Sequence, residues 1–283
     1  MHSSSVPRRI GMGILLAALV VCLVLAARYD LTINQQVYSS EHWWAIFMEA
    51  FGWWPLYLPA LLWGGFLLRR NGQPLWGALI LLGSAAALWF PAFSCLEKRG
   101  WLMNFPLWAE SILVAITVAA SILFAGIPSR RTAMRLNFLC CAGFWMMVLN
   151  NVVIHTIKLI WNRARFDEML LQGNFDGFSA WYAPFGTGGT SFPSGHTAAA
   201  AGVLLLILAA DVFPVVARHK WIVGICCSLY IGAMAVSRIV VGRHFLSDTI
   251  VAALIVWGLF VLVHHSKLWK NSLNQLRDHL TAL

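Results

Sequence analysis

Residues 193–208 read PSGHTAAAAGVLLLIL, and the change of character inside this stretch decides how the rest of the chain is read. Pro193, Ser194, Gly195 and His196 form a polar turn softened by glycine. From Thr197 onward the residues are alanine and aliphatic, the pattern of a buried or lipid-facing helix. Ser194 or a neighbouring hydroxyl is placed to cap that helix, and Gly195 permits close approach to the backbone. The free amides and the positive dipole end of such a helix suit an anion. His196, at the same end, is placed to give a proton to a departing oxygen.

Outward from this stretch, apolar runs recur at 10–27, 51–68, 75–93, 108–127, 136–157, 197–216, 221–236 and 249–264. Most approach the roughly 20 residues that cross a bilayer as a helix. Of the 283 residues, 60% are hydrophobic and 11% charged, against roughly 25% charged in a soluble domain. The expected fold is all-α: a polytopic integral membrane helix bundle of about eight transmembrane segments, or six if two are re-entrant or peripheral. The stretch 29–50 mixes polar and aromatic groups and reads as an outer loop along the interface. Arg8 and Arg9 before the first run resemble the start of a signal peptide. Its 18-residue apolar core exceeds the usual 7–15 or so, and an uncleaved helix is expected.

The formal charge of +9 raises the question of nucleic acid, and its distribution answers it. Alternating the segments puts Arg8, Arg9, Arg69, Arg70, Arg130, Arg131, Arg135, Arg218, Lys220, Lys267, Lys270 and Arg277 on one side, with only Asp211 and Asp278 as acids. The other side holds eight basic residues and nine acids. This is the positive-inside pattern, so both termini are expected in the cytoplasm and no nucleic-acid partner is expected. Six cysteines fall mostly inside apolar runs and lack the spacing of a disulfide framework or a zinc site, so no structural metal is expected.

The same topology brings three polar motifs to the outer face. Lys158 and Arg165 are seven apart, two helical turns, so both are expected on one helix face, either holding an anion or snorkelling to head groups. His244 and Asp248 are four apart and therefore neighbours on a helix. An Asp that accepts a proton from one imidazole nitrogen fixes the tautomer and leaves the other free to attack. Arg238 lies six residues before His244, with Gly242 between them to allow a bend. Its planar fork can bind two phosphate oxygens. Phosphoryl transfer needs little beyond positioning and charge neutralisation, and Lys158, Arg165 and Arg238 supply three cations in place of a metal. Asn150, Asn151 and His155 either extend this polar site inward or hydrogen-bond between helices. The long outer connection from Lys158 to Thr197, with Trp181, Tyr182 and Phe185, reads as an ordered lid or ledge, or as packing against helix ends.

In order, Lys158-x6-Arg165, Pro193-Ser194-Gly195-His196 and Ser237-Arg238-x5-His244-x3-Asp248 resemble the three-part signature of the type 2 phosphatidic acid phosphatase (PAP2) superfamily, in its membrane lipid phosphatase branch. The resemblance spans about a third of the chain, 158–248. It implies that His244 is the nucleophile, forming a phosphohistidine, that Asp248 orients it, and that His196 protonates the leaving group and then activates water. Lys158, Arg165, Ser194, Gly195 and Arg238 would cradle the phosphate, with no cofactor and no metal.

The implied activity is hydrolysis of a lipid phosphate or diphosphate at the extracytoplasmic face of a bacterial cytoplasmic membrane. Phosphotransfer to an acceptor, or lipid-phosphate binding or transport without turnover, are the alternatives. The resemblance also implies a division into N-terminal transmembrane helices (1–135), a PAP2-like catalytic helical core (136–265) and a cytoplasmic tail (266–283). Two departures stand out. Phe166 follows Arg165 where the family usually has Pro, and five apolar runs precede the motif-bearing loop where three are usual.

Overall fold

The structure, a computed structural model, describes residues 5–102, 106–186 and 188–283; the side chains of Arg8 and Arg9 lie outside the described set. It is all-α among these residues. The long helices are α1 (Ser5–Val37), α3 (Trp54–Arg69), α4 (Pro74–Lys98), α5 (Leu107–Gly126), α6 (Arg130–Trp161), α11 (Lys220–Val240) and α12 (Leu246–His265). Short helices intervene at α2 (Trp43–Phe51), α7 (Phe166–Leu171), α8 (Gly195–Ala200), α9 (Leu205–Leu208) and α10 (Pro214–Arg218), and α13 (Lys267–Thr281) closes the chain. Among the described residues, seven stretches are long and apolar enough to cross a membrane, Ala17–Val37 and Trp43–Arg69 among them. The chain is therefore an integral membrane helix bundle.

Several helices run past the boundaries of the sequence reading, α4 to Lys98 and α6 from Arg130 to Trp161 among them, and three further differences bear on the site. The run expected at 197–216 as one crossing is instead a relay of α-helical and 3-10 turns over Gly195–Asp211, shorter than the other seven. A 3-10 turn rises about 2.0 Å per residue against 1.5 Å in an α-helix, so fewer residues cover the same depth. The first part of the relay, Ala198 to Gly202, is made of small residues where α3 lies directly on it. A Cβ on Gly202 would sit 3.0 Å from Leu56 Cα.

The second difference is α1, which does not stop near residue 27 but runs on to Val37. Asp30 and Asn34, one turn apart on the same face, are fully buried there. Their polarity reads as the end of a membrane segment, yet each has partners inside the bundle, so the helix continues through them. Part of the expected outer loop 29–50 is thus helix, first α1 and then α2. The third difference is the outer end of α11, which reaches Val240 rather than 236.

α3 packs against α4, α5 and α6, while α8 is wedged between α11 and α12. At one end of the bundle, Arg70 Nε donates to Ala125 O at 2.6 Å, tying α3 to the close of α5. The tail beyond 266 is not loose: α13 buries Trp269, Leu273 and Leu276 against Leu139, Leu208 and Val212. Trp269 Nε1 donates to Asp211 Oδ2 at 3.1 Å. At the opposite end, the close of α6, the start of α8, the close of α11 and the start of α12 converge. All three sequence motifs sit there.

Candidate functional site

The first motif is bent rather than helical throughout. α6 ends at Trp161, and Asn162 is left-handed with φ 49°. Lys158 and Arg165 therefore do not share a helix face as the sevenfold spacing predicts. Arg165 is in extended conformation just before α7. The two cations still meet, because both reach the same loop residue: Lys158 Nζ donates to Thr190 O, and Arg165 Nη2 donates to Thr190 Oγ1 at 2.6 Å.

The loop carrying Thr190 is held by main-chain bonds along 160–163, including Gly186 N to Trp161 O at 2.8 Å and Ser191 N to Arg163 O at 2.9 Å. Gly189 makes this zipper possible, since a Cβ there would lie 2.2 Å from Arg163 O. The long connection is thus an ordered ledge, with Tyr182 and Phe185 left exposed on it. Phe166, in the place of the family's proline, begins α7 and buries its ring between Tyr38 and Phe175, with centroids at 5.3 and 5.4 Å. Phe166 thus starts a helix and packs among aromatic rings.

In the second motif, Ser194 Oγ accepts from Thr197 N at 3.3 Å, the cap foreseen for this helix. Ser194 N donates to Asp248 O at 3.0 Å, which fastens the second motif to the third. A Cβ on Gly195 would meet only Lys158 Cε, at 3.6 Å. No protein neighbour demands glycine there, and the space above it opens into a cavity of about 160 Å³ shared with Lys158, His196, Asn150, Asn151 and His155. The three polar residues of α6 therefore do extend the site inward, and Asn151 also accepts from Tyr57 Oη at 3.3 Å.

The third motif turns back on itself. Arg243 N and His244 N both donate to Arg238 O, at 3.1 and 3.3 Å, around Gly242 at φ 72°. His244 is 3% exposed. Its Nδ1 lies 2.6 Å from Ser191 O. A carbonyl can only accept, so Nδ1 carries the proton and the Nε2 lone pair is left for chemistry. Asp248 Oδ2 stands further off, 3.7 Å from Nδ1. It accepts instead from Ser191 Oγ at 2.5 Å and Phe245 N at 2.9 Å. Asp248 thus positions the histidine chiefly by fixing Ser191, whose carbonyl makes the direct contact.

Burial pushes the His244 imidazole down to about 4, with Lys158 and Arg165 adding to the shift and Asp248 opposing it. Burial and then Arg238 push His196 down to about 3. Both rings are neutral in the empty site near pH 7. A neutral imidazole keeps a lone pair on one ring nitrogen, and a nearby anion would favour its protonated form.

Several residues absent from the motif reading complete the site. Arg163 is fully buried and pairs with Asp248 Oδ1 at 2.5 Å and with Asp30 Oδ2 at 3.0 Å. Asn34 Nδ2 donates to His244 O at 3.2 Å. Glu49 on α2 gathers arginines: Arg99 at 2.8 Å, Arg238 at 3.6 Å and Arg243 at 3.6 Å. The available signal was the rule that acids within apolar stretches mark function. It applies to Asp30 and Glu49 once 29–50 is read as helix.

Residues 138–272 match the family model described as the PAP2 superfamily. No curated protein and no solved structure matches the chain. The matched segment contains every motif residue from Lys158 to Asp248, whereas Asp30, Asn34 and Glu49 lie before it.

Proposed function

Because the chain belongs to the PAP2 superfamily, whose members are generally phosphatases, we propose that it is a membrane phosphatase that hydrolyses a lipid phosphate or diphosphate at the outer leaflet through a phosphohistidine. The observation that carries this reading is the fixed tautomer of His244: Nδ1 is held by Ser191 O, so Nε2 is the nucleophile. Lys158, Arg165 and Arg238 neutralise the equatorial oxygens, and the amides of Gly195 and His196 add donors. Nε2 bonds to phosphorus, the bond to the leaving oxygen breaks, and His196 protonates that oxygen. Water then attacks the phosphohistidine as His196 takes its proton. Histidine chemistry with three cations needs no metal, so activity is expected to persist in chelator.

The site lies at an end of the bundle, where a head group reaches the motifs while the lipid tail stays in the bilayer. The purified protein in detergent, given phosphatidic acid, phosphatidylglycerol phosphate, a prenyl diphosphate and phosphorylated lipid A, is expected to release phosphate from at least one. A brief incubation should trap an acid-labile, alkali-stable phosphoprotein that His244→Asn lacks. Full activity in His244→Ala would overturn the mechanism.

A further inference from the structure

A cleft of about 300 Å³ opens beside His196, lined by Glu49, Trp53, Phe90, Lys98 and Arg243. We propose that this cleft is a second anion subsite that holds a phosphate of the leaving group, making the preferred substrate a lipid diphosphate. The inference rests on the phosphatase reading above and adds to it the identity of what lies beyond the scissile bond.

Position comes first. His196 is the group assigned to protonate the departing oxygen, so whatever occupies the far side of His196 is the leaving group. The cleft is lined by His196 but by neither Lys158 nor His244, so it lies off the phosphate-holding and attacking groups. Its volume equals that of roughly ten waters at about 30 Å³ each, room for a tetrahedral phosphate and the start of a chain.

Charge comes second. Lys98, Arg99, Arg238 and Arg243 gather around two carboxylates, Glu49 and Asp167. Glu49 is shared among three arginines, and Arg243 divides itself between Glu49 and Asp167 at 3.1 Å. Lys98 is exposed and makes no ion pair among the described residues. The cluster is left with excess positive charge in a partly dehydrated cleft, where an anion is drawn in and a neutral alcohol gains nothing. With Arg238 assigned to the transferred phosphate, Lys98, Arg99 and Arg243 face Glu49 and Asp167, and the one charge left over, that of unpaired Lys98, serves a different group.

The rim comes third. Trp53 borders the cleft and Phe90, 67% exposed, faces outward beside it. An alkyl or prenyl chain leaving the cleft along this apolar edge passes straight into lipid. Glu49, Trp53, Phe90 and Lys98 all precede the family-matched segment, so one wall of the subsite comes from the helices α2 to α4 and the other, with His196 and Arg243, from the matched segment.

In the reaction, His244 Nε2 attacks the terminal phosphorus, the bond to the bridging oxygen breaks, and that oxygen keeps the electron pair and takes the His196 proton. The lipid monophosphate departs with its remaining phosphate on Lys98 and Arg243. Water then releases inorganic phosphate from His244.

The test compares farnesyl diphosphate with farnesyl monophosphate, which share a tail, in detergent with chelator present. In Lys98→Met the ratio of kcat/KM for diphosphate over monophosphate is expected to fall about tenfold or more, the loss of one charge-assisted contact, and Lys98→Arg should restore it. An unchanged ratio overturns the subsite while leaving the phosphatase reading intact. Failure of the unsubstituted protein to release phosphate from either substrate, or from any other lipid phosphate, overturns that reading and the subsite with it. Binding gives a readout independent of turnover. His244→Asn protein is expected to bind methylenediphosphonate about tenfold more tightly than methylphosphonate, and adding Lys98→Met should remove the preference. Equal affinities in His244→Asn alone overturn the proposal.

Discussion

Arg163 and Arg238 are both fully buried in the site, and each is paired with an acid from the helices before the family-matched segment, yet the two guanidinium groups differ in one respect. Arg163 is saturated. Nε donates to Ser179 O at 2.9 Å, Nη1 to Ser247 Oγ at 2.9 Å and to Asp248, and Nη2 to Asp30 at 3.0 Å, with the Phe245 ring 4.3 Å from its carbon. Arg238 is incomplete. Nε and Nη2 reach Ser237 Oγ and Ala45 O, but Nη1 has no hydrogen bond and only a distant Glu49 at 3.6 Å. A buried donor without a partner is costly to keep, and Arg238 Nη1 shares that state with Arg165 Nε, another cation of the site. The saturated arginine is a strut, and the open one has a donor to spare, as the proposed phosphate contact requires.

The largest effect should come from breaking the strut. Arg163→Met leaves Asp30 and Asp248 buried without their cation, a loss of about 3–5 kcal/mol, read as a large fall in Tm in detergent. A Tm equal to that of the unsubstituted protein would remove the distinction. Arg238→Gln should act oppositely, lowering kcat by about 10²–10³ while Tm moves much less. Glu49→Gln lies between the two. It removes a charged contact worth about 1.5–3 kcal/mol from Arg99 and frees Arg238 and Arg243 to repel, so both Tm and kcat/KM should drop.

The pH response sharpens the comparison at the histidines between these arginines. His244 is depressed from 6.5 to about 4, so the unfolded chain binds the proton more readily than the folded one. Its contribution to stability is complete above about 6.5 and is lost as pH falls through about 4. His196 works in the same direction. Tm is expected to decline across that window, with His244→Asn giving a shallower slope. A Tm that rises on acidification would contradict the burial of both rings. The smallest effect is at the bend. Gly242→Ala, at φ 72° with a Cβ 2.8 Å from the Tyr38 ring, should cost about 1–2 kcal/mol.

Much of this was legible in the sequence, and the reason is spacing. The motifs carry fixed intervals, and hydropathy with charge asymmetry was enough to bring them to one end of the bundle. What escaped were groups whose meaning depends on a distant partner. Asp30 reads as the end of a membrane segment until Arg163, 133 residues later, is seen beside it. Spacing alone puts Lys158 and Arg165 on one helical face, because Asn162, a residue that tolerates the left-handed turn, is equally at home inside a helix pattern. Asp248 was expected to touch His244 directly, because i to i+4 spacing says nothing of a third residue, Ser191, standing between them. The broken relay of α8 and its successors was hidden for a related reason: an alanine-rich run looks the same whether or not α3 presses on it.

The acids on α1 and α2 also set an order of assembly. They emerge from synthesis first, while Arg163, Arg238 and Arg243 follow more than a hundred residues later. Until those arginines arrive, Asp30 lacks its cation and Glu49 has Arg99 alone, and neither half of the site is complete. The final docking of the early helices onto the late ones is therefore the step that switches the site on. Contacts so far apart in the chain make that step slow. Chimeras that exchange the N-terminal helices for another bundle should insert yet remain inert unless Asp30 and Glu49 travel with them.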